Sequence, residues 1–267
     1  MPREHGAWVM LYASFAAGVV AVSNRPNWPA IGLAVLAITF AFLGQEPFRL
    51  AVRRRADVND LRWLAIWSIG LAACAVALLA GYHRYALVVI GSAAVVFLGI
   101  QAILLRAATA KRADRTVAGE LLAVLALTLP AAAAVIASDS HGVARATWIW
   151  IASSIFFGSG IVTVKMLLAS TKYKKQWRPR LRFVVGRTQS VYHLMLIVAV
   201  AVGASYLDNA AAALLVWAFV PAIVRAFVMW VRLNGVLPPL KRVGILESVL
   251  AILFVVLAGN ALRLASL

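Results

Sequence analysis

Nine runs of 16 to 23 residues, each carrying at most two charges, divide this chain at 7–23, 29–44, 63–81, 84–105, 117–137, 147–169, 190–207, 209–229 and 243–264. A bilayer core of about 30 Å is crossed by roughly 20 residues of α-helix, and fewer suffice when polar ends reach up to the headgroups. Inside hydrocarbon each backbone N–H and C=O has to be satisfied within its own segment or in a closed barrel, so apolar runs of this length commit the chain to helices. The repeated length predicts an all-α, polytopic membrane helix bundle of about nine transmembrane helices, with one multi-pass domain over residues 1–267. Turn-forming residues punctuate it: "NRPNWP" separates the first two runs and "YLDN" the seventh and eighth.

Composition narrows the class further. Hydrophobic residues make up 64% of the chain and charged ones 13%, against roughly half and a quarter in soluble domains. A formal net charge of +17 would suggest nucleic acid in a soluble protein. Here the basic residues fill the short gaps between apolar runs, so the expected partners are membrane lipids and not nucleic acid. The single Cys74 lies within an apolar run and reads as a packing residue, which leaves no disulfide framework. The first run ends on "VSNRPNWP" without a small-x-small cleavage pattern, so it reads as a retained span and not a signal peptide. No motif for a metal or another cofactor is found in the sequence, and oligomeric state is left open.

Charge then predicts orientation. With the N-terminus in the cytoplasm, 20 of the 26 Lys and Arg fall on the cytoplasmic side. Four, Arg25, Arg84, Arg145 and Arg263, fall outside, and Lys165 and Arg225 lie within spans. This asymmetry predicts an N-in, C-out protein of a bacterial cytoplasmic membrane. The densest stretch is "TKYKKQWRPRLRFVVGRTQS" at 171–190, with seven basic residues and no acid. It has two readings: it sets topology and rests on anionic headgroups, or it grips a bound anion.

The polar residues inside the runs cluster toward the cytoplasmic ends. Glu4 and His5 precede the first, Gln45 and Glu46 close the second, and Gln101 and Glu120 lie near the ends of the fourth and fifth. Lys165, His193, Arg225 and Glu247 follow in the sixth to ninth. Ionisable groups at such depth cost a few kcal/mol unless paired or hydrated. Glu120, Lys165, Arg225 and Glu247 are therefore expected to line a polar pocket open to the cytoplasm. Snorkelling is the competing account for Lys165 and Arg225, and Glu is too short for it. Pro130 and Pro221, within spans, are candidates for kinks that shape a cavity.

Two resemblances bear on this reading. "PREHGAW" followed by an apolar span resembles the signature of the YwiC-like family of small bacterial membrane proteins. The order of basic loops, with "RLRFVVGRTQSVYHLMLIVAVA" and "NGVLPPLKRVGILESVLAILFVVLAG", is similar to UbiA-type intramembrane prenyltransferases. That similarity implies a nine-helix, N-in, C-out architecture with functional cytoplasmic loops after helices two and six. The Asp-rich motifs that hold magnesium in those enzymes do not carry over. The first loop, "GQEPFRLAVRRRADVND", has Glu46, Asp57 and Asp60 at other spacings, and the second has no acid. Since Mg²⁺ takes carboxylates plus substrate phosphates, magnesium-dependent prenyltransfer is disfavoured and no catalytic residue is assigned.

The expected role is binding or handling an anionic, lipid-like or isoprenoid/quinone-like molecule from the cytoplasmic side. Its candidate ligand-binding residues are Arg53, Arg54, Arg55, Glu120, Lys165, Lys172, Lys174, Lys175, His193, Arg225 and Glu247. Arg and Lys would neutralise a phosphate or carboxylate directly, while Glu120, His193 and Glu247 would exchange protons if brought together. A divergent UbiA-type prenyltransferase and a small-molecule transporter are the alternatives. Against transport stand the sparsely polar outer halves and the lack of an internal repeat.

Overall fold

In the computed structural model, which describes residues 5–22, 26–52, 55–107 and 117–266, every element is helical. The order is α1 (His5–Ala21), α2 (Trp28–Val52), α3 (Val58–Val76) with a π-helical turn at Ala77–Gly81, and α4 (Ala86–Ala107). Then come α5 (Val117–Ser138), α6 (Val143–Ser170) with a 3₁₀ turn at Thr171–Gln176, α7 (Leu181–Ser205), α8 (Asn209–Val231) and α9 (Leu240–Leu264). Eight of these are long and apolar enough to cross a membrane, and α1 is a shorter apolar helix.

The short α1 sits inside the bundle, against α5, α6 and α9. Contacts with α5 climb together along both helices: Ser14 Oγ donates to Leu127 O at 3.3 Å, Gly18 lies on the backbone of Ala131, and beyond α1 Asn27 N donates to Ser138 Oγ at 3.1 Å. Rising numbers on both helices mean that α1 and α5 run parallel, as two odd-numbered spans must. A Cβ on Gly18 would collide with the Ala131 carbonyl, and one on Gly259 of α9 would come 2.6 Å from Val20 Cγ1. Small residues thus let three backbones approach closely, which is how helices gain packing energy where lipid removes the hydrophobic drive.

Burial follows from this centre. In an 18-residue stretch within Gly119–Ser138 of α5, 67% of residues are buried in the bundle, whereas none are along Ala86–Ile103 of α4. Exposed Val89 and Ile103 on α4, with Val184, Leu194 and Ile197 on α7, form apolar outer faces of the kind that lipid covers. The core beneath is aromatic: Phe156 stacks on Phe254 with centroids 4.2 Å apart, and Phe219 meets Phe254 edge-on.

Two helices outrun their hydrophobic stretches. α2 continues past Gln45 and Glu46 and through Pro47 to Val52, with Glu46 and Arg49 paired at 3.5 Å one turn apart. α7 begins at Leu181 and not near 190, so Arg182 and Arg187 are helical and His193 sits mid-helix. Arg is a good helix former whose stem tolerates apolar surroundings while its head seeks water, so hydropathy alone ends such helices too early.

Candidate functional site

Arg225 of α8 is the most deeply buried charge, 6% exposed. It pairs with Glu247 of α9 through Nη1 and Oε2. Its Nη2 donates to Ser159 Oγ at 3.0 Å and reaches Thr163 Oγ1 at 3.5 Å. Those hydroxyls lie one turn apart on α6 and donate in turn to Phe156 O and Ser159 O, leaving their lone pairs toward the guanidinium. Thus α6 supplies acceptors, α9 the counter-charge and α8 the cation. A lone guanidinium at this depth would be costly, and the pair with its hydroxyls is what makes it tolerable.

Next to this pair, α7 is fixed to α8 and α6. Gln189, 3% exposed, donates from Nε2 to Ala226 O at 3.2 Å. One turn on, His193 Nδ1 donates to Gln189 O at 2.9 Å, and Tyr192 donates from its hydroxyl to Ile155 O at 2.9 Å.

A cavity of about 2960 Å³ runs beside these groups. Its charged lining is Glu46, Arg49, Asp60, Glu120, Lys165, Lys172, Lys241 and Glu247, from α2, α3, α5, α6, the 3₁₀ turn and α9. Glu120 and Lys165 bridge α5 and α6 at 3.2 Å. Lys172 and Lys241 have no acidic partner among the described residues. Further along the same cavity the walls are mainly apolar, with Leu78, Leu87, Ile90, Pro130 and Ala133, and Ser92 beside them on α4. From Glu120 to Ala133 the α5 wall is about 20 Å long at 1.5 Å per residue.

The expected residues divide accordingly. Glu120, Lys165, Lys172 and Glu247 line the cavity, and Arg225 stands directly behind Glu247 without lining it. His193 is buried away from the cavity. Lys174 and Lys175 are exposed on the 3₁₀ turn, and Arg55 is exposed before α3; none of the three lines the cavity. Arg53 and Arg54 lie outside the described residues. The basic turn is anchored because Trp177 packs with Met166, Leu167 and Leu233.

Sequence reasoning missed Ser159, Thr163, Gln189 and Lys241. A Ser/Thr pair four apart on α6 is the signal for the first two, and it is common in membrane helices without any ligand. Asp57 and Asp60 have a local task, since each carboxylate accepts the other's backbone N–H in a capping box that starts α3. Among the described residues no three His, Cys, Asp or Glu side chains converge as a metal site would require.

The fold and its buried ion pair define a multi-pass helical membrane protein. A family model described as YwiC-like protein matches residues 1–136. That is just over half of the 267 residues, and the chain belongs to the YwiC-like family. The match takes in α1 to α4 and most of α5, while Ser159, Arg225 and Glu247 lie beyond it. No curated protein and no solved structure matches the chain.

Proposed function

We propose that this YwiC-like protein binds or handles an amphipathic anion, lipid-like or isoprenoid/quinone-like, from the cytoplasmic side of a bacterial cytoplasmic membrane. It does so as a single transmembrane domain of UbiA-like architecture. The observation that carries the reading is the polarity gradient of the cavity. Its charged lining is gathered at one end, where Lys172 and Lys241 stand without acidic partners among the described residues, and a mainly apolar stretch follows. A charged head fits the first zone and a hydrocarbon tail the second, the usual division of a ligand site into apolar walls and a few polar groups. Lys neutralises phosphate or carboxylate as a point charge. Of the other charged lining residues, Arg49 is balanced by Glu46, Lys165 by Glu120 and Glu247 by Arg225, while Asp60 accepts a backbone N–H in the α3 cap.

Lipid extraction and mass spectrometry of the purified protein test this. A phosphate- or carboxylate-bearing amphiphile enriched over the bulk membrane lipid is the expected result. Recovery of bulk lipid only, with no saturable binding of added alkyl or prenyl phosphates, would sink the proposal.

A further inference from the structure

Resting on that reading, we infer that the ligand carries a hydrogen-bond donor, a hydroxyl or an amide N–H, between its anionic head and its apolar tail, received by Gln189 and Glu247. Both residues line the cavity. The Gln189 amide nitrogen is committed to Ala226 O, so Oε1 is left as an acceptor, and it is buried with no donor. Glu247 gives Oε2 to Arg225, and its Oε1 is likewise buried with no donor. Buried acceptors are nearly always satisfied. Two unsatisfied ones on different helices at the wall of one cavity point to a ligand that donates. Arg225 Nε and His193 Nε2 are also buried without partners, but neither residue lines the cavity.

Position along the membrane orders the ligand's groups. Lys241 precedes Glu247 by six residues on α9, or about 9 Å along the axis, and Lys172 lies in the turn before α7. The cations therefore stand nearer the helix ends and the acceptors nearer mid-membrane. Arg225 balances Glu247, so this inner level has no net charge with which to hold an anion. Gly160 on α6 leaves the pair uncovered on the cavity side, because a Cβ there would come 3.2 Å from Glu247 Oε2 and 3.7 Å from Arg225 Nη1. Anion, donor and tail in that order describe a single-tailed phosphate or carboxylate amphiphile with a free hydroxyl or N–H beside its head. A plain prenyl or alkyl phosphate lacks the middle group.

The test uses the full-length protein in detergent and two probes, 1-oleoyl lysophosphatidate and its 2-O-methyl ether, compared by native mass spectrometry titration. The ether keeps the charge, the tail and the oxygen and loses only the donor. Wild-type protein is expected to prefer the free hydroxyl by about tenfold, the scale of one hydrogen bond to a charged or buried acceptor. Gln189→Leu should narrow that preference by weakening the hydroxyl probe while leaving the ether unchanged. Equal binding of the two probes by the wild type would overturn the donor subsite and leave the amphiphile reading intact. Binding of neither probe would overturn both.

Discussion

Arg225 on α8 and Glu247 on α9 form an ion pair inside the bundle, and two α6 hydroxyls, Ser159 and Thr163, complete the guanidinium's surroundings. The pair couples three helices through one cation. Removing either partner strands the other charge, so Glu247→Leu and Arg225→Leu should each destabilise the protein by about 3–5 kcal/mol. The double variant should recover much of that loss, since replacing a buried pair with apolar groups is often nearly neutral. Thermal unfolding in detergent checks this. A double variant no better than the worse single one would show that the hydroxyls and the cation, and not the pair, hold the helices together.

Two arginines on the sparsely basic side act as helix caps. Arg84 donates from Nε to Ala137 O at 2.9 Å and from Nη2 to Ser138 O at 3.0 Å, closing the last turn of α5. Arg145 donates to Leu262 O at 3.1 Å near the end of α9. A cation on orphan carbonyls also meets the negative end of the helix dipole. Arg84→Ala should therefore cost about 1–2 kcal/mol, read by thermal unfolding, and Arg84→Lys should restore only part because it loses the two-pronged contact.

Asp57 and Asp60 cap α3 and each other. Asp57→Ala should cost about 1 kcal/mol of local stability, visible as faster amide exchange in the first turn of α3. Should the purified protein instead transfer prenyl groups with magnesium, and both Asp57→Ala and Asp60→Ala abolish that turnover, the prenyltransferase alternative would stand.

The helical class and the run count were legible because hydrocarbon enforces them: a segment of about 20 apolar residues has few other fates. Helix ends were less legible, as α7 shows, since Arg182 and Arg187 end an apolar run without ending a helix. Within the site, the depth of Glu120, Lys165, Arg225 and Glu247 marked them as needing partners. Which would pair depended on helix neighbours that no local pattern encodes. Lys165 takes Glu120 across α5 and α6, and Arg225 takes Glu247 across α8 and α9. Gln189 carries no charge and so gave no signal, and Lys241 looked like any other loop cation.

Topology follows from parity. If α1 crosses beside α5 in the same direction, as their parallel contacts require, the chain makes nine crossings and its ends lie on opposite sides. A reporter fused after Leu267 is expected to read the outer side and one inserted at Lys174 the cytoplasm. Both reporters on the same side would mean that α1 or another helix does not cross.

The basic turn supplies the sharpest contrast, because its lysines are not equivalent. All three are exposed, but Lys172 lines the cavity and Lys174 and Lys175 do not. If the turn only sets topology, Lys172→Gln and the pair Lys174→Gln, Lys175→Gln should behave alike, since charge near a span end is all that counts. If the cavity holds an anion, Lys172→Gln and Lys241→Gln should each weaken binding of an alkyl phosphate by about tenfold or more. Lys174 and Lys175 should then matter little, because neither lines the cavity. Expression and orientation are expected to stay normal in all four substitutions, because Arg178, Arg180, Arg182 and Arg187 still mark the inner end of α7, and Arg232 and Arg242 the link from α8 to α9. Equal effects at the lining and non-lining positions would leave the seven basic residues with topology as their whole purpose.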